Sequence, residues 1–445
     1  MGTKLLIRSY YVGLGDCFYV RIPDGEDTFN ILIDCGSLGA ESLLEEAIEH
    51  LKTVLPEAED GNKRLDLLVA THQHKDHIRG FDPKFFRGIT IKNIWLSAIM
   101  DEEHPQAKKS LNLTNDAIRE VKRIANSGLA LSPTMKMLTA LYLDNEGATN
   151  ALRQGLPGRN GIEPKYVHAG QTNLDPELNI RFNEDTTSIT VLAPELNIDH
   201  FYLGEDVELE AQGLDDFKAF FANHATKVET RLPENISERD FRVLQSRVLD
   251  NPFAFVEGVS SIQNNASVVL LIQWRGKRLL FVGDAEWENT YRAGKKNGSW
   301  NVMWEKRKDF LNQPIDFLKI GHHGSKNSTP YRPDKGDDNV INQILNAILP
   351  RPADGAEPTA QAIASTLRAN YKTIPNPALM VELGKRVKET KVYGELLPDD
   401  EIPKVANEAG LHEEAQPLRT GLENILEQKS RRINKRNYTD IEIEA

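Results

Sequence analysis

Apolar residues along the chain follow two spacings, one typical of buried strands and one typical of helices. Over the first hundred residues, short runs rich in β-branched and aromatic residues are separated by glycine-rich or acidic turns, which predicts strands. The segment 42–55 carries apolar residues at helical spacing and is predicted to be a helix. A helix between strands at this spacing indicates an α/β core. The predicted strands are 4–11, 17–22, 29–34, 65–70 and 91–96.

Two central stretches are charged and amphipathic, and they are predicted to be helical insertions into this core. The first contains predicted helices at 112–126 and 134–154, and the second contains runs at 214–221 and 239–249. Strand patterns return after each insertion. The predicted order is a first half of the core (1–96), a helical insertion (97–161), core strands (162–197), a second helical insertion (198–247), the second half of the core (248–395) and a helical C-terminal extension (396–445).

The second half of the core has its own pattern of strands and helices. Two apolar runs flank the turn Arg275–Lys277 and predict a hairpin of buried strands. The predicted strands are 188–192, 267–274, 278–282 and 315–320, and the predicted helices are 338–349 and 378–390.

Composition and charge are those of an ordinary globular protein. The net charge of −12 over 445 residues argues against a surface coated with basic groups, although a local basic groove is still compatible with it. Cys17 and Cys35 both lie in apolar runs, so two buried free thiols are predicted rather than a disulfide. The N-terminal apolar run is too short for a signal peptide and no run suits a membrane span, which predicts a cytoplasmic protein without membrane contact.

Polar side chains suited to metal binding follow four of the predicted strands. Strand 65–70 leads into Thr71–His77, which holds three histidines and an aspartate. The other strand ends carry Asp34, Asp284 and the pair His322–His323. Imidazole and carboxylate groups suit zinc and similar divalent metals, and functional groups of sheet-based folds gather on loops at strand ends. The sequence therefore predicts a metal site.

The loop after strand 65–70 has enough ligands for two ions. His72 and His74 can point the same way from an extended segment, and Asp76 and His77 can turn toward a second, neighbouring ion. Asp284 is an anion that can bridge two cations and lower their mutual repulsion. A two-metal site is the resulting hypothesis.

The histidine pair that follows strand 315–320 leaves two roles open. Either His322 or His323 can complete the ligand shell of one ion. The histidine that does not bind metal, together with Ser325 and Lys326, is predicted to stabilise negative charge on the reacting group or to protonate the leaving group. A solvated loop position is the equally weighted alternative for Lys326.

Five further motifs accompany the histidine-rich loop. They read VGLGD at 12–16, IDCG at 33–36, NNAS at 264–267, GDA at 283–285 and HHGS at 322–325. Together with the HxHxDH pattern at 72–77, they resemble the metallo-β-lactamase superfamily, and most closely the branch that contains the metallohydrolase domain of the DNA-uptake protein ComEC. The resemblance implies an αββα metallo-β-lactamase sandwich carrying the two insertions and the C-terminal extension.

The same resemblance implies roles for individual residues. Asp34 would orient the metal loop by hydrogen bonding rather than bind metal, and His323 is favoured over His322 as ligand because it precedes Gly324 and Ser325. The cofactors implied are two divalent ions, zinc or manganese. The implied ligands are His72 and His74 for the first ion, Asp76, His77 and His323 for the second, and Asp284 as the bridge.

Two departures from the superfamily pattern affect these expectations. Many members supply a third histidine to the first ion from a loop that here reads Gln263–Asn265, without histidine, so that ion is expected to be weakly held and open to water or substrate. ComEC proteins often have aspartate where this chain keeps His74, which favours a genuine two-metal site.

The predicted reaction is hydrolysis by a metal-activated water, most favourably of phosphodiester bonds in DNA or RNA. Basic runs at 306–308 and 429–436 are possible phosphate contacts, and the alternative is that they are solvated surface residues without a binding role. Hydrolysis of a small phosphoester, ester or lactone is the alternative, and a non-catalytic module that recruits a protein partner through the insertions or tail is the third interpretation.

Overall fold

The computed structural model describes residues 4–126, 131–143, 145–178, 180–204, 254–353, 355–366, 374–388 and 437–445. Most of the predicted second insertion, including both of its predicted helical runs, lies outside these residues. So does the basic run 429–436, together with most of the predicted C-terminal extension.

Seven strands form the first sheet. They are β1 (Lys4–Tyr10), β2 (Phe18–Asp24), β3 (Asp27–Ile33), β5 (Leu67–Ala70), β7 (Ile94–Ser97), β8 (Lys165–Val167) and β14 (Tyr438–Glu444). The order across the sheet is β14-β1-β2-β3-β5-β7-β8. β14, β1, β2 and β3 are antiparallel neighbours, whereas β3, β5, β7 and β8 run parallel. A separate parallel pair joins β4 (Lys63–Leu65) to β6 (Ile89–Ile91).

Five strands form the second sheet. They are β9 (Thr187–Ala193), β10 (Val269–Trp274), β11 (Lys277–Phe281), β12 (Phe317–Lys319) and β13 (Gln361–Ile363), in the order β13-β12-β11-β10-β9. The predicted hairpin is β10–β11, and β11, β12 and β13 run parallel.

The two sheets pack face to face. Alternation along β3 places Ile31 and Ile33 in an apolar cluster that also contains residues of the second sheet, and the rings of Phe18 and Phe281 meet there with centroids 6.4 Å apart. Leu32, between the two isoleucines, instead joins the cluster on the outer face of the first sheet. A third apolar cluster covers the outer face of the second sheet. The layers are therefore helix, sheet, sheet, helix, which confirms the predicted α/β class.

Helices supply the two outer layers. Helix α1 (Glu41–Val54) buries Leu44, Ala47, Ile48 and Leu51, the i, i+3, i+4, i+7 spacing that predicted it. The remaining helices are α2 (Lys75–Ile78), α3 (Lys108–Asn126), α4 (Pro133–Tyr142), α5 (Glu146–Asn150), α6 (Leu156–Asn160), α7 (254–265), α8 (Ser299–Leu311), α9 (Val340–Ile348) and α10 (Pro377–Gly384). Among the described residues, no helix has the length and apolar character needed to cross a membrane.

The helix predicted at 134–154 is divided. Helix α4 ends at Tyr142 and α5 begins at Glu146. The Asn145 side chain donates to the carbonyl oxygen of Leu141 at 2.6 Å, and so satisfies one of the carbonyls that a helix end leaves without a partner. A single amide side chain therefore supports a break that apolar periodicity does not reveal.

Several elements differ from the predictions. Helices α7 and α8 were not predicted, although Phe255, Val259 and Ile262 on α7 have helical spacing and are buried. The last part of the predicted helical extension, Tyr438–Glu444, is instead a strand, because its residues alternate between buried and outward positions with a period of two. Cys17 and Cys35 are buried free thiols, as predicted.

Candidate metal centre

The polar strand ends come together at one edge of the two sheets. Asp34 follows β3 and Thr71 follows β5, while Asp284 lies just beyond β11 and His322 just beyond β12. Because the strands within each of these pairs are parallel, their ends reach the same edge. The two edges are joined directly, since the Val268 backbone N–H donates to the Thr71 carbonyl oxygen at 2.9 Å.

Four buried side chains converge at this edge, and each brings one ligand atom within 4.8 Å of all the others: Asp76, His77, Asp284 and His323. The His323 Nε2 atom lies 2.9 Å from Asp76 Oδ2, and His77 Nε2 lies 3.2 Å from Asp284 Oδ2. These are the residues that the sequence assigned to the second ion and to the bridge.

Buried atoms without partners test whether this group suits a metal. Among the described residues, Asp76 Oδ1 is buried without a hydrogen-bond partner, and His77 Nε2 is buried and makes no well-directed hydrogen bond beyond its ion-pair contact with Asp284. Such unsatisfied buried atoms are costly unless something else binds them. A mixed set of imidazole nitrogens and carboxylate oxygens is a ligand set for zinc and related divalent ions, so the residues fit a metal.

His72 and His74 lie beside this group. The His72 Nε2 atom is 3.0 Å from His74 Nδ1 and 3.9 Å from Asp284 Oδ2, so Asp284 lies between the two sets of predicted ligands. Both histidines are fully buried, and burial lowers the pKa of His74 to about 4 and holds the pKa of His72 well below its usual value. Both rings are therefore neutral near pH 7, the form that binds metals.

Asp34 orients the histidine-rich loop through hydrogen bonds. Its carboxylate accepts from the Thr71 backbone N–H and hydroxyl, both at 2.7 Å, and lies 2.8 Å from His77 Nδ1. The bond to Nδ1 leaves His77 Nε2 facing the cluster. Gly36 lets the chain pass this close, because a Cβ atom there would lie 2.1 Å from the His77 backbone nitrogen.

Lys319 and Asp16 are part of the centre, although the sequence did not single them out as site residues. The Lys319 ammonium forms an ion pair with Asp16, donates to the Gly283 carbonyl oxygen at 3.0 Å and lies 3.8 Å from Asp284 Oδ1. Asp16 also accepts from the Ser365 hydroxyl. The available signal was a lysine inside an otherwise apolar strand, which must be paired if it is buried.

His322 and His323 take different places. His323 is buried, and its Nδ1 donates to the Ser365 carbonyl oxygen at 2.6 Å, whereas the His322 side chain is 25% exposed. The His322 Nδ1 atom lies 3.4 Å from Glu286 Oε1, a third residue that the sequence did not suggest. Although partial burial lowers it, Asp284 and Glu286 raise the pKa of His322 to about 9. Lys326 is solvent-exposed, and its predicted role remains a prediction.

A family model matches the part of the chain that holds the histidine-rich loop. Residues 10–83 match the metallo-β-lactamase superfamily. This match supports the superfamily expected from the motifs. Among curated proteins, none matches the chain.

Two solved structures are similar to the chain at low identity. The metallo-β-lactamase-fold protein YhfI of Bacillus subtilis is 9% identical, with 84% of this chain and 94% of that chain covered and a TM-score of 0.30. A protein of unknown function from Enterococcus faecalis V583 is 10% identical, with 75% of this chain and 53% of that chain covered and a TM-score of 0.28. Values this low say nothing about activity.

Proposed function

We propose that this protein is a metal-dependent phosphodiesterase of the ComEC-like branch, acting on DNA, RNA or smaller nucleotides with two divalent ions, zinc or manganese. The observation that carries the proposal is the convergence of Asp76, His77, Asp284 and His323 in one buried group with unsatisfied ligand atoms. His72 and His74, beside Asp284, are the proposed ligands of the other ion. The motifs VGLGD, GDA and HHGS support the branch.

Divalent ions held by these residues would lower the pKa of a bound water to about 7 and would neutralise charge on a phosphoryl oxygen. The chain's own residues place these groups. Asp34 fixes the His77 ring, and Lys319 holds the Gly283–Asp284 turn. His322 is the partly exposed member of the centre, and Glu286 holds its ring, so we assign it the hydrogen bond to the substrate's reacting oxygen and the proton for the leaving group.

The first experiment pairs metal analysis with cleavage assays. Bound zinc and manganese are measured alongside hydrolysis of bis(p-nitrophenyl) phosphate, single- and double-stranded DNA, and RNA. We expect bound metal and cleavage in the unaltered protein and loss of both in the Asp76→Ala/His77→Ala variant. The control is Asp309→Asn, which removes an exposed carboxylate on α8.

A second variant separates metal binding from proton transfer. His322→Gln is expected to keep its metal and to lower kcat by about 100-fold or more, the usual contribution of a positioned proton donor. Metal binding without cleavage of any phosphodiester would redirect the assignment to small phosphoesters, esters or lactones. Absence of bound metal would contradict the hydrolase assignment altogether.

A further inference from the structure

A cavity of about 510 Å³ opens beside the metal centre, between the histidine-rich loop and the first insertion. This volume lies within the range of about 300–1,000 Å³ that is typical of small-molecule sites. Its walls include Gln73 from the loop, Asn115 and Ile118 from α3, Tyr142 from α4, Asn145 between α4 and α5, and Asn150 from α5.

The cavity is in direct contact with the metal loop. Gln73 lies between His72 and His74, and its carbonyl oxygen accepts from Asn145 Nδ2 at 2.9 Å. The ring of Tyr142 meets the ring of His74 edge-on, with centroids 5.2 Å apart. Through Tyr142, a group bound in the cavity is therefore one side chain away from His74, a proposed ligand of the first ion.

The charges around the cavity are already paired. Two cations line it, Lys122 and Arg153, and each forms an ion pair with a glutamate that also lines it, Glu146 and Glu102 respectively. Arg153 Nε also donates to the Met100 carbonyl oxygen at 2.9 Å. The cavity thus offers no excess positive charge to a phosphate, and it suits an uncharged group.

Two buried polar atoms in the walls have no hydrogen-bond partner among the described residues: Tyr142 Oη and Asn145 Oδ1. Tyr142 is 2% exposed, and although Ser260 is near enough to affect its pKa, the hydroxyl makes no well-directed hydrogen bond. Asn145 uses its N–H groups on Gln73 and Leu141, so its oxygen is left to accept. Unsatisfied buried groups of this kind are costly, and a small rotation of either side chain toward the cavity would let a polar ligand bind its free oxygen.

The other walls define the shape of that ligand. Amide side chains of Gln73, Asn115 and Asn150 can both donate and accept, which is the pattern that reads the edge of a nucleobase. The aliphatic side chains of Leu111 and Ile118 give an apolar surface on which a flat ring can pack. A nucleotide has both of the required parts, a phosphate for the metal centre and a neutral, flat, hydrogen-bonding base for the cavity.

We infer that this cavity binds an unpaired nucleoside, base and sugar, of the substrate whose phosphate lies at the metal centre. The inference rests on the proposed phosphodiesterase function and names its substrate class. A small nucleotide and an unpaired strand of nucleic acid share this chemistry. A base-paired strand does not, because its base must first leave the stack.

The test measures binding and hydrolysis separately. Adenosine, guanosine, cytidine and uridine, with ribose as reference, are titrated into the metal-loaded protein and followed by saturation-transfer NMR. These probes carry no phosphate, so they report on the cavity alone. Hydrolysis of bis(p-nitrophenyl) phosphate, which carries no nucleoside, reports on the metal centre alone.

A matched pair of variants on α3 assigns the binding to the cavity. Asn115→Trp places a large ring at the cavity wall, whereas Asn112→Trp makes the same change at a position of the same helix that does not line the cavity. Both positions are exposed, so the two variants are matched in burial. We expect saturation transfer to the protons of at least one base in the unaltered protein and in Asn112→Trp, and its loss in Asn115→Trp. Tyr142→Phe keeps the ring against His74 and is expected to weaken nucleoside affinity by about fivefold to tenfold, the effect of one hydrogen bond.

The outcomes separate the two proposals. Hydrolysis of bis(p-nitrophenyl) phosphate without nucleoside binding above ribose, or equal binding in both tryptophan variants, overturns the cavity assignment. Nucleoside binding without any phosphodiester hydrolysis contradicts the proposed function and leaves the cavity as a nucleoside site. Comparison of kcat/KM for a cyclic dinucleotide and a single-stranded oligonucleotide then identifies the source of the nucleoside.

Discussion

Lys319 is a charged residue on a buried strand, and its surroundings explain how the fold accommodates it. The side chain is 3% exposed, but it is paired with Asp16 and donates to the Gly283 carbonyl oxygen. Burial lowers the pKa of Lys319, but Asp16 and Asp284 outweigh it and raise the pKa above its usual value. The ammonium therefore ties the early VGLGD motif to the GDA turn of the second sheet.

Replacing this lysine should lower the free energy of unfolding by more than a substitution at an exposed position does. In Lys319→Met, Asp16 loses its buried counter-ion, so we expect the free energy of unfolding to fall by about 3–5 kcal/mol, the usual result of breaking a buried pair. Denaturant unfolding of the metal-free protein measures it. Lys326→Met, at an exposed position, should change the free energy of unfolding by no more than about 0.5 kcal/mol. Equal effects from the two changes would contradict this role for Lys319.

Individual residues of the centre differed in how readily the sequence revealed them. Clustered histidines at a strand end marked the loop 72–77, and Asp284 and His323 followed from motifs that the resemblance supplied. Glu286 carries no such local signal, and the local signal of Lys319 is limited to a charged residue within an apolar strand. Their roles depend on side chains that face them across the sheets. Those side chains are far away in the sequence, and local patterns do not reveal such contacts.

At the scale of elements, apolar periodicity worked best where packing and propensity agree. Helix α1 and the longer strands of the first half are amphipathic or wholly buried, and they were predicted within a few residues. The short strands β4 and β6 were not predicted as separate elements. Helix α8 was missed because its buried residues lie mainly in its first turns and charged residues follow them. In the basic run 306–308, Arg307 is paired with Glu195 and Lys308 lies over the Trp304 ring, so these side chains are engaged within the fold.

Strand β14 is expected to stabilise the first sheet from its edge. It pairs with β1 from Lys4–Glu444 to Tyr10–Tyr438, and Ile441 and Ile443 are buried in the cluster between the sheets. The Arg8 guanidinium donates to both carboxylate oxygens of Asp440 and lies over the Tyr438 ring. Without β14, the edge of β1 would present unpaired backbone groups, a template for aggregation.

Substitutions within β14 test this contribution. Ile441→Ala should lower the free energy of unfolding by at least about 2 kcal/mol, because it empties a buried site. Glu442→Gln removes only an exposed ion pair with Lys4. It should change the free energy of unfolding by no more than about 1 kcal/mol. Denaturant titration of both variants provides the comparison, and an unchanged Ile441→Ala midpoint would show that β14 adds no stability.

At the scale of the whole molecule, the candidate metal centre connects the two sheets. Asp76 and His77 follow the first sheet, whereas Asp284 and His323 follow the second. A metal held by all four favours the folded state, in which they are together, over the unfolded state. The proposed ions should therefore contribute to stability as well as to chemistry.

Thermal unfolding with and without metal tests this coupling. Chelation should lower Tm, and free zinc at 100 times its dissociation constant should restore about 2.7 kcal/mol of stability. The same titration of Asp284→Asn should give a much smaller shift, since the bridge between the two sets of ligands is weakened. A Tm that does not respond to metal in the unaltered protein would contradict binding across the sheets.

The pairing of β14 with β1 also has a consequence for synthesis of the chain. Arg8 and Asp440 are separated by 432 positions. The outer edge of β1 therefore stays unpaired while the intervening chain is translated. At ribosomal rates this interval lasts roughly 20–90 s. During that time β1 has one open side, which makes it a natural site for nascent-chain chaperones to protect.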